Sequence, residues 1–204
     1  MASAERPETL LPAPGRGQYD RALTRERRQA EQRERLLAAT AAAFARQHRR
    51  VSGVTALAAV GRNTFYEYFD DFQHAVAAVS SRAQARLELG CKAALERART
   101  PIETLRAITR AWCAALLEHP DEAIVLLSAE ERTPPRPLSA AGRVLVATLE
   151  SARRPAPRGG AQDPSAVLAT AASAEALVLQ ALAEKAEIEP TAARVAQIAI
   201  RLLH

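Results

Sequence analysis

The chain reads as an all-α protein, and three observations predict it. Ala and Leu dominate a sequence with only eight Gly, while β-branched and aromatic residues are sparse, a balance that favours helix over strand. Apolar residues recur at helical spacing: Leu36, Thr40 and Phe44, with Leu37 and Ala41 beside them, make one face of a helix. Helix starts carry capping chemistry. The clearest is Thr100-Pro101-x-Glu103, where Thr supplies the cap, Pro the first helical position and Glu the reciprocal bond.

The elements follow in order. Residues 1–20, with Pro7, Pro12, Pro14, Gly15 and Gly17, read as a flexible arm. A first helix begins near Thr24 and ends on His48-Arg49-Arg50, cations that suit its negative end. Ser52 is the expected N-cap of a short second helix through Val54, Leu57 and Ala58. A third short helix holds Arg62 to Tyr68. Asp70 or Asp71 caps a long fourth, reaching about Arg97 with Phe72, Val76, Val79, Ala83 and Leu87 as its apolar stripe. The fifth runs from Pro101 to about Glu118. Pro120 and Asp121 open a sixth, which Thr133-Pro134-Pro135-Arg136-Pro137 stops. A seventh spans about Leu138 to Arg153, and residues 153–164 form a Pro/Gly/Arg loop. Ser165 starts a long, nearly charge-free eighth. Pro190 starts a ninth, with Val195, Ile198 and Leu202 on one face. No internal repeat is visible. The pattern divides into an N-terminal domain over 21–71 and a larger C-terminal domain over 72–204.

Bulk properties narrow the function. The formal net charge is +5 and the sequence pI about 9.8. Residues 16–50 hold ten Arg against four acids, so the positive excess sits in the N-terminal quarter. Such an excess suits a polyanion and gives salt-dependent affinity; the plainer reading is a solvated helix face in which Glu26, Glu31 and Glu34 partner the arginines. Cys91 and Cys113 form no metal pattern and read as reduced thiols. No apolar run reaches the roughly 18–20 residues of a membrane span, and the N-terminus lacks a signal-peptide core. A cytoplasmic protein without a membrane anchor, metal or cofactor is expected. No Ser/His/Asp set, phosphate loop or metal spacing appears. Glu130 and Glu131 are adjacent, so on a helix they diverge by about 100° and make a poor acid dyad. An enzyme is not expected.

The chemistry concentrates in Gly61-Arg62-Asn63-Thr64-Phe65-Tyr66-Glu67-Tyr68-Phe69. Nine residues hold four aromatic rings in a chain that is 4% aromatic. Two short helices joined by a tight turn make a helix-turn-helix, whose second helix reads the major groove with its first residues. Arg62 can donate two parallel bonds to guanine or grip a phosphate, and Asn63 can pair with adenine. Thr64 can donate to phosphate or touch a thymine methyl. Tyr66 and Tyr68 carry hydroxyls suited to phosphates, and Thr55 stands near the positive end of the preceding helix. Phe65 stands in the same DNA-facing group, although its four-residue spacing from Phe69 also fits a core pair. The alternative is a short amphipathic core helix with packed rings and a solvated Arg.

The order of an apolar first helix, the Leu57-Ala58 step, "V-G-R-N-T-F-Y-E-Y-F" and a long helix resembles the tetracycline-repressor (TetR) family of bacterial regulators. The resemblance covers roughly residues 25–80. It implies DNA binding through Ser52, Thr55, Arg62, Asn63, Thr64, Phe65, Tyr66 and Tyr68. It also implies a helical C-terminal domain that dimerises through its last two helices and holds a small-molecule effector between its central ones. Three departures stand out. The stretch between Phe44 and Tyr66 is about three residues short, close to one helical turn. Ala59 stands where the family's turn glycine belongs, and Gly61 where its serine cap does. Phe72 replaces the usual lysine, with Asp70 and Asp71 beside it.

In the C-terminal part, Ile108, Trp112 and Leu116 share a face with Cys113 beside them. They are the candidate pocket lining, and core packing is the alternative. Ala174, Leu177, Val178 and Ala181, with Ile198 and Leu202, are the candidate homodimer seam; internal packing is the alternative there.

Overall fold

A computed structural model describes residues 25–128, 138–152 and 164–203. The expected arm over 1–20, the stop at 133–137, Glu130 and Glu131, and residues 153–163 of the expected loop lie outside them. The described residues form nine α-helices and no strand: α1 (Arg25–Ala45), α2 (Val51–Ala58), α3 (Arg62–Tyr66), α4 (Phe72–Arg97), α5 (Pro101–Leu117), α6 (Pro120–Leu127), α7 (Ala140–Ala152), α8 (Pro164–Glu184) and α9 (Ile188–Leu203). The all-α reading holds, with most ends shifted by one or two residues; α1 instead stops at Ala45, short of the expected His48-Arg49-Arg50, and has no cation in its last turn. α9 begins at Ile188 rather than Pro190, and α3 ends at Tyr66 rather than Tyr68.

Packing divides the chain inside α4, between Ser81 and Arg82. The first unit is built on α1, α2, α3 and the start of α4. Leu36, Leu37 and Phe44 of α1, Val54 and Leu57 of α2, Phe65 of α3 and Val76 and Val79 of α4 are buried in it. Gly53 allows α2 to lie close to the preceding loop: a Cβ there would stand 2.9 Å from the His48 carbonyl oxygen.

In the second unit α9 packs mainly on α5 and α8, and α7 lies against α8. Its core gathers Leu87 and Cys91 of α4, Ile108, Trp112, Cys113 and Leu116 of α5, Leu145 of α7, and Val167, Ala171 and Ala174 of α8. The Thr100 capping box forms as its sequence predicts: Thr100 accepts the Glu103 N–H at 3.2 Å, and Glu103 accepts the Thr100 N–H at 3.2 Å. Glu122 of α6 binds two arginines of α4, Arg82 at 2.5 Å and Arg86. By length and composition α8 is apolar enough to cross a membrane, longer than any apolar run the sequence reading recognised. A third of its apolar window is buried inside the chain, and its mid-helix Glu175 bonds to Ser139.

Candidate nucleic-acid interface

The helix-turn-helix closes despite its shortened sequence. α2 ends at Ala58, and Ala59 takes a left-handed conformation (φ 54°, ψ 44°) that lets the chain reverse. Its N–H bonds back to Ala56, and the Val60 N–H bonds to Thr55. This is the conformation in which glycine costs least; here an alanine adopts it. Gly61 is the extended N-cap of α3, with no side chain to cap the helix. The α3 N–H groups at that end are therefore not occupied by an N-cap side chain.

α3 turns its polar and aromatic residues apart. Arg62, Asn63 and Tyr66 are exposed and Thr64 is half-buried. Phe65 is fully buried, with its ring 5.6 Å from that of Phe69. Phe65 is therefore corrected from a DNA-facing residue to the residue that anchors α3 from beneath. The Arg62 guanidinium donates to the Tyr66 hydroxyl at 3.3 Å and lies 6.0 Å from its ring centroid. One turn of helix thus pre-orients the arginine outward. Tyr68 is half-buried, and its hydroxyl donates to Gln32 Oε1 of α1 at 3.2 Å.

Two further expectations are corrected around α2. Arg50, not Ser52, occupies the N-cap position, and Ser52 lies exposed within the first turn. Thr55 is buried, at 8% exposure, and its hydroxyl donates to the Ser52 carbonyl at 3.2 Å. That bond satisfies the hydroxyl within the helix and takes it away from a phosphate. At the start of α4 the cap is Asp71, whose Oδ1 accepts the His74 N–H at 2.7 Å. Asp70 is strongly exposed and pairs with His74 Nδ1 at 3.0 Å.

The candidate pocket and seam residues lie in the second unit. Ile108, Trp112, Cys113 and Leu116 are all in its core, and Trp112 Nε1 donates to the Ala141 carbonyl at 2.9 Å. Ala174, Val178 and Ala181 are buried against their own chain. They are corrected from seam residues to core residues, because a side chain already covered has no surface left to offer a partner. Leu177 and Ile198 are half-buried, and Leu202 is 45% exposed. The outward face of α8 is instead Leu168, Ala172, Ala176 and Leu179, which the sequence reading missed. Their spacing of four, four and three was legible as a helical stripe. In a helix apolar on nearly every side, the sequence alone did not say which stripe faces inward.

A long α1 and two short helices ending in an arginine-led α3, followed by a helical unit in which α9 packs on α5 and α8, can be compared with solved structures. No family model matches the chain, and no curated protein matches it in sequence. In structure it is similar to a TetR-like transcriptional regulator from Rhodococcus sp. RHA1, with TM-score 0.67 and 18% identity over 84% of this chain and 95% of that one. The chain has the TetR-like fold. The fatty acid degradation regulator FadR from Bacillus halodurans shares it, with TM-score 0.66 and 14% identity over 85% and 96% of the two chains. A second TetR transcriptional regulator from Rhodococcus sp. RHA1 matches at TM-score 0.54 and 18% identity over 86% and 97%.

Proposed function

We propose that this chain is a cytoplasmic transcriptional regulator of the TetR family, a homodimeric repressor that binds a palindromic operator in double-stranded DNA and is released by a small-molecule effector. Residues 21–71 serve as its DNA-binding domain and residues 72–204 as its regulatory and dimerisation domain. The observation that carries the reading is α3 itself: Arg62 and Asn63 are exposed at its start, while Phe65 is fully buried on its other side. That arrangement leaves the polar residues to meet base edges and fixes the helix that presents them.

In this reading Arg62 and Asn63 read bases, Thr64 and Ser52 meet phosphates, and the Tyr66 hydroxyl both steadies Arg62 and reaches the backbone. Two α3 helices must stand about 34–36 Å apart to enter successive major grooves. The dimer seam is the outward face of α8 with Leu202 and Ile198 of α9. An effector admitted beside Ile108, Trp112, Cys113 and Leu116 would shift α4 through Glu122 and its two arginines. The coupling between the sites equals the effector's preference for one state over the other.

A second reading, a TetR-fold ligand-binding protein with little grip on DNA, is favoured by exposed Asp70 and Asp71 at the start of α4, where they repel phosphates. Selection of bound fragments from random duplex DNA tests both. The repressor reading expects a palindromic site whose affinity falls steeply with salt, and Arg62→Ala weakening it with relaxed base preference, by about 1–3 kcal/mol. No salt-sensitive binding to any fragment leaves the second reading.

A further inference from the structure

Arg82 and Arg86 stand one turn apart on α4 and share one carboxylate. Glu122 Oε1 accepts from Arg82 Nη2 at 2.5 Å, and its Oε2 accepts from Arg86 Nη2. A guanidinium carries Nε and Nη2 on one edge, spaced to meet both oxygens of a single carboxylate. Glu122 gives Arg86 only one oxygen. The Arg86 Nε–H is left buried, with no hydrogen-bond partner among the described residues. A buried donor without a partner is costly and calls for an oxygen from outside the chain.

The helix surface next to that donor is apolar. At about 100° per residue, Arg86, Leu89, Gly90 and Ala93 share one face of α4, within roughly 100° of arc. Leu89 is 70% exposed, more than any other large apolar side chain among the described residues. A Cβ at Gly90 would meet nothing within 4 Å, so the space beside it is open. An exposed leucine alone is ordinary. Next to a guanidinium with an unused donor, it makes one face that is cationic at one end and apolar at the other.

We propose that this face of α4 binds a small amphipathic carboxylate. Its two oxygens accept the Arg86 Nε–H and Nη2–H, and its apolar body lies over Leu89 and Gly90. Arg86 is half-buried, and withdrawal of one Glu122 oxygen opens its edge. The fork makes two charge-assisted bonds where Glu122 makes one, and it leaves no buried donor on Arg86. Glu122 stays with Arg82, so the ligand removes one of the two ties between α4 and α6. The inference rests on the regulator reading above only in calling this ligand the effector.

The test titrates the full chain with octanoate, butyrate and octanamide by isothermal calorimetry at fixed ionic strength. Octanoate should bind at least about ten-fold more tightly than butyrate, because its longer chain leaves water. It should also bind about ten-fold more tightly than octanamide, which has the same chain but no charge. Arg86→Lys keeps the positive charge without the fork and should weaken octanoate about ten-fold, with helicity checked by circular dichroism. Leu89→Gln, an exposed change, should narrow the gap between octanoate and butyrate. Arg97→Gln, at the far end of α4, should alter neither. Equal affinity for octanoate and octanamide overturns the inference, as does octanoate binding that a folded Arg86→Lys leaves unchanged, or no octanoate binding at all. Should Arg86→Lys lose helicity, the octanamide comparison and Leu89→Gln decide on an intact fold. Duplex binding is read separately by fluorescence anisotropy: a chain that binds octanoate through Arg86 but no selected duplex upholds the site and overturns the DNA-binding reading.

Discussion

Glu175 of α8 holds Ser139 at the start of α7: its Oε1 accepts the Ser139 backbone N–H at 3.0 Å and the Ser139 hydroxyl at 2.5 Å. The Ser139 oxygen in turn accepts the Gly142 N–H at 3.1 Å, which caps α7. A Cβ at position 142 would collide with the same Glu175 oxygen. The one carboxylate in the middle of an apolar helix therefore acts as an extended helix cap, and a glycine makes room for it.

Replacing Gly142 by Ala tests that arrangement by its sign. Inside an ordinary exposed helix, Gly→Ala stabilises by roughly 1 kcal/mol. Here the methyl drives Glu175 off Ser139 and leaves buried polar groups without partners, a loss of about 1–3 kcal/mol. Glu175→Gln keeps an acceptor oxygen and should cost less than Gly142→Ala. Urea denaturation reads both, and a Gly142→Ala variant at least as stable as the parent would remove this account of α7.

The left-handed Ala59 gives a prediction of the opposite sign. An L-residue with a Cβ is disfavoured there by roughly 1 kcal/mol, and glycine is not. Ala59→Gly should raise the stability of the first unit by about 0.5–1 kcal/mol after the added chain entropy of glycine is counted. Hydrogen exchange at Val54 and Leu57, both buried in α2, would slow by the matching factor. Faster exchange would mean that the turn gains nothing from glycine.

Gly142 and Ala59 show what the sequence made legible. Helix number and order followed from apolar spacing and caps, because Thr100-Pro101-x-Glu103 is local chemistry that needs no partner. The identity of α3 followed from its crowded rings. The four-residue spacing of Phe65 and Phe69 already fitted a core pair, and both rings are buried, 5.6 Å apart; that spacing alone did not take Phe65 out of the DNA-facing group. Ala59 was identified as standing at the turn glycine's place, yet sequence alone gave no sign that an alanine would hold the left-handed conformation. On α8 almost every residue is apolar, so Ala174 and Leu168 looked alike until the packing against α7 and α9 separated them.

That separation makes the dimer reading testable. Leu168 and Leu179 are 50% and 48% exposed on the outward face of α8. Covering a leucine side chain contributes roughly 1.5–3 kcal/mol, so Leu168→Glu/Leu179→Glu should turn a dimer into a monomer while the helical circular-dichroism signal stays. Val178→Glu, on the buried side, should instead unfold the second unit. Sedimentation read beside helicity distinguishes the two outcomes, and a double-Glu variant that stays dimeric would move the seam off α8.

The two cysteines give the pH dependence. Burial pushes the Cys91 thiol up to about 12, against a smaller lowering from its bond to Thr148. Burial, with Cys91 nearby, pushes Cys113 to about 12 as well. Both folded values lie above the unfolded value of 9.0. The folded chain therefore holds more protons than the unfolded chain between about pH 9 and 12, and stability falls as pH rises through that window. Below pH 9 the contribution is fully present. Each thiol steepens the alkaline loss by up to about 1.4 kcal/mol per pH unit. Cys91→Ala/Cys113→Ala should be less stable at neutral pH, because it leaves space in the core, yet lose stability more slowly with pH above 9. Folded protein at pH 8 should also resist a thiol reagent that labels both cysteines in denaturant, since the thiolate is the reactive form. Parallel alkaline slopes for the parent and the double variant would show that these thiols do not govern the alkaline limb.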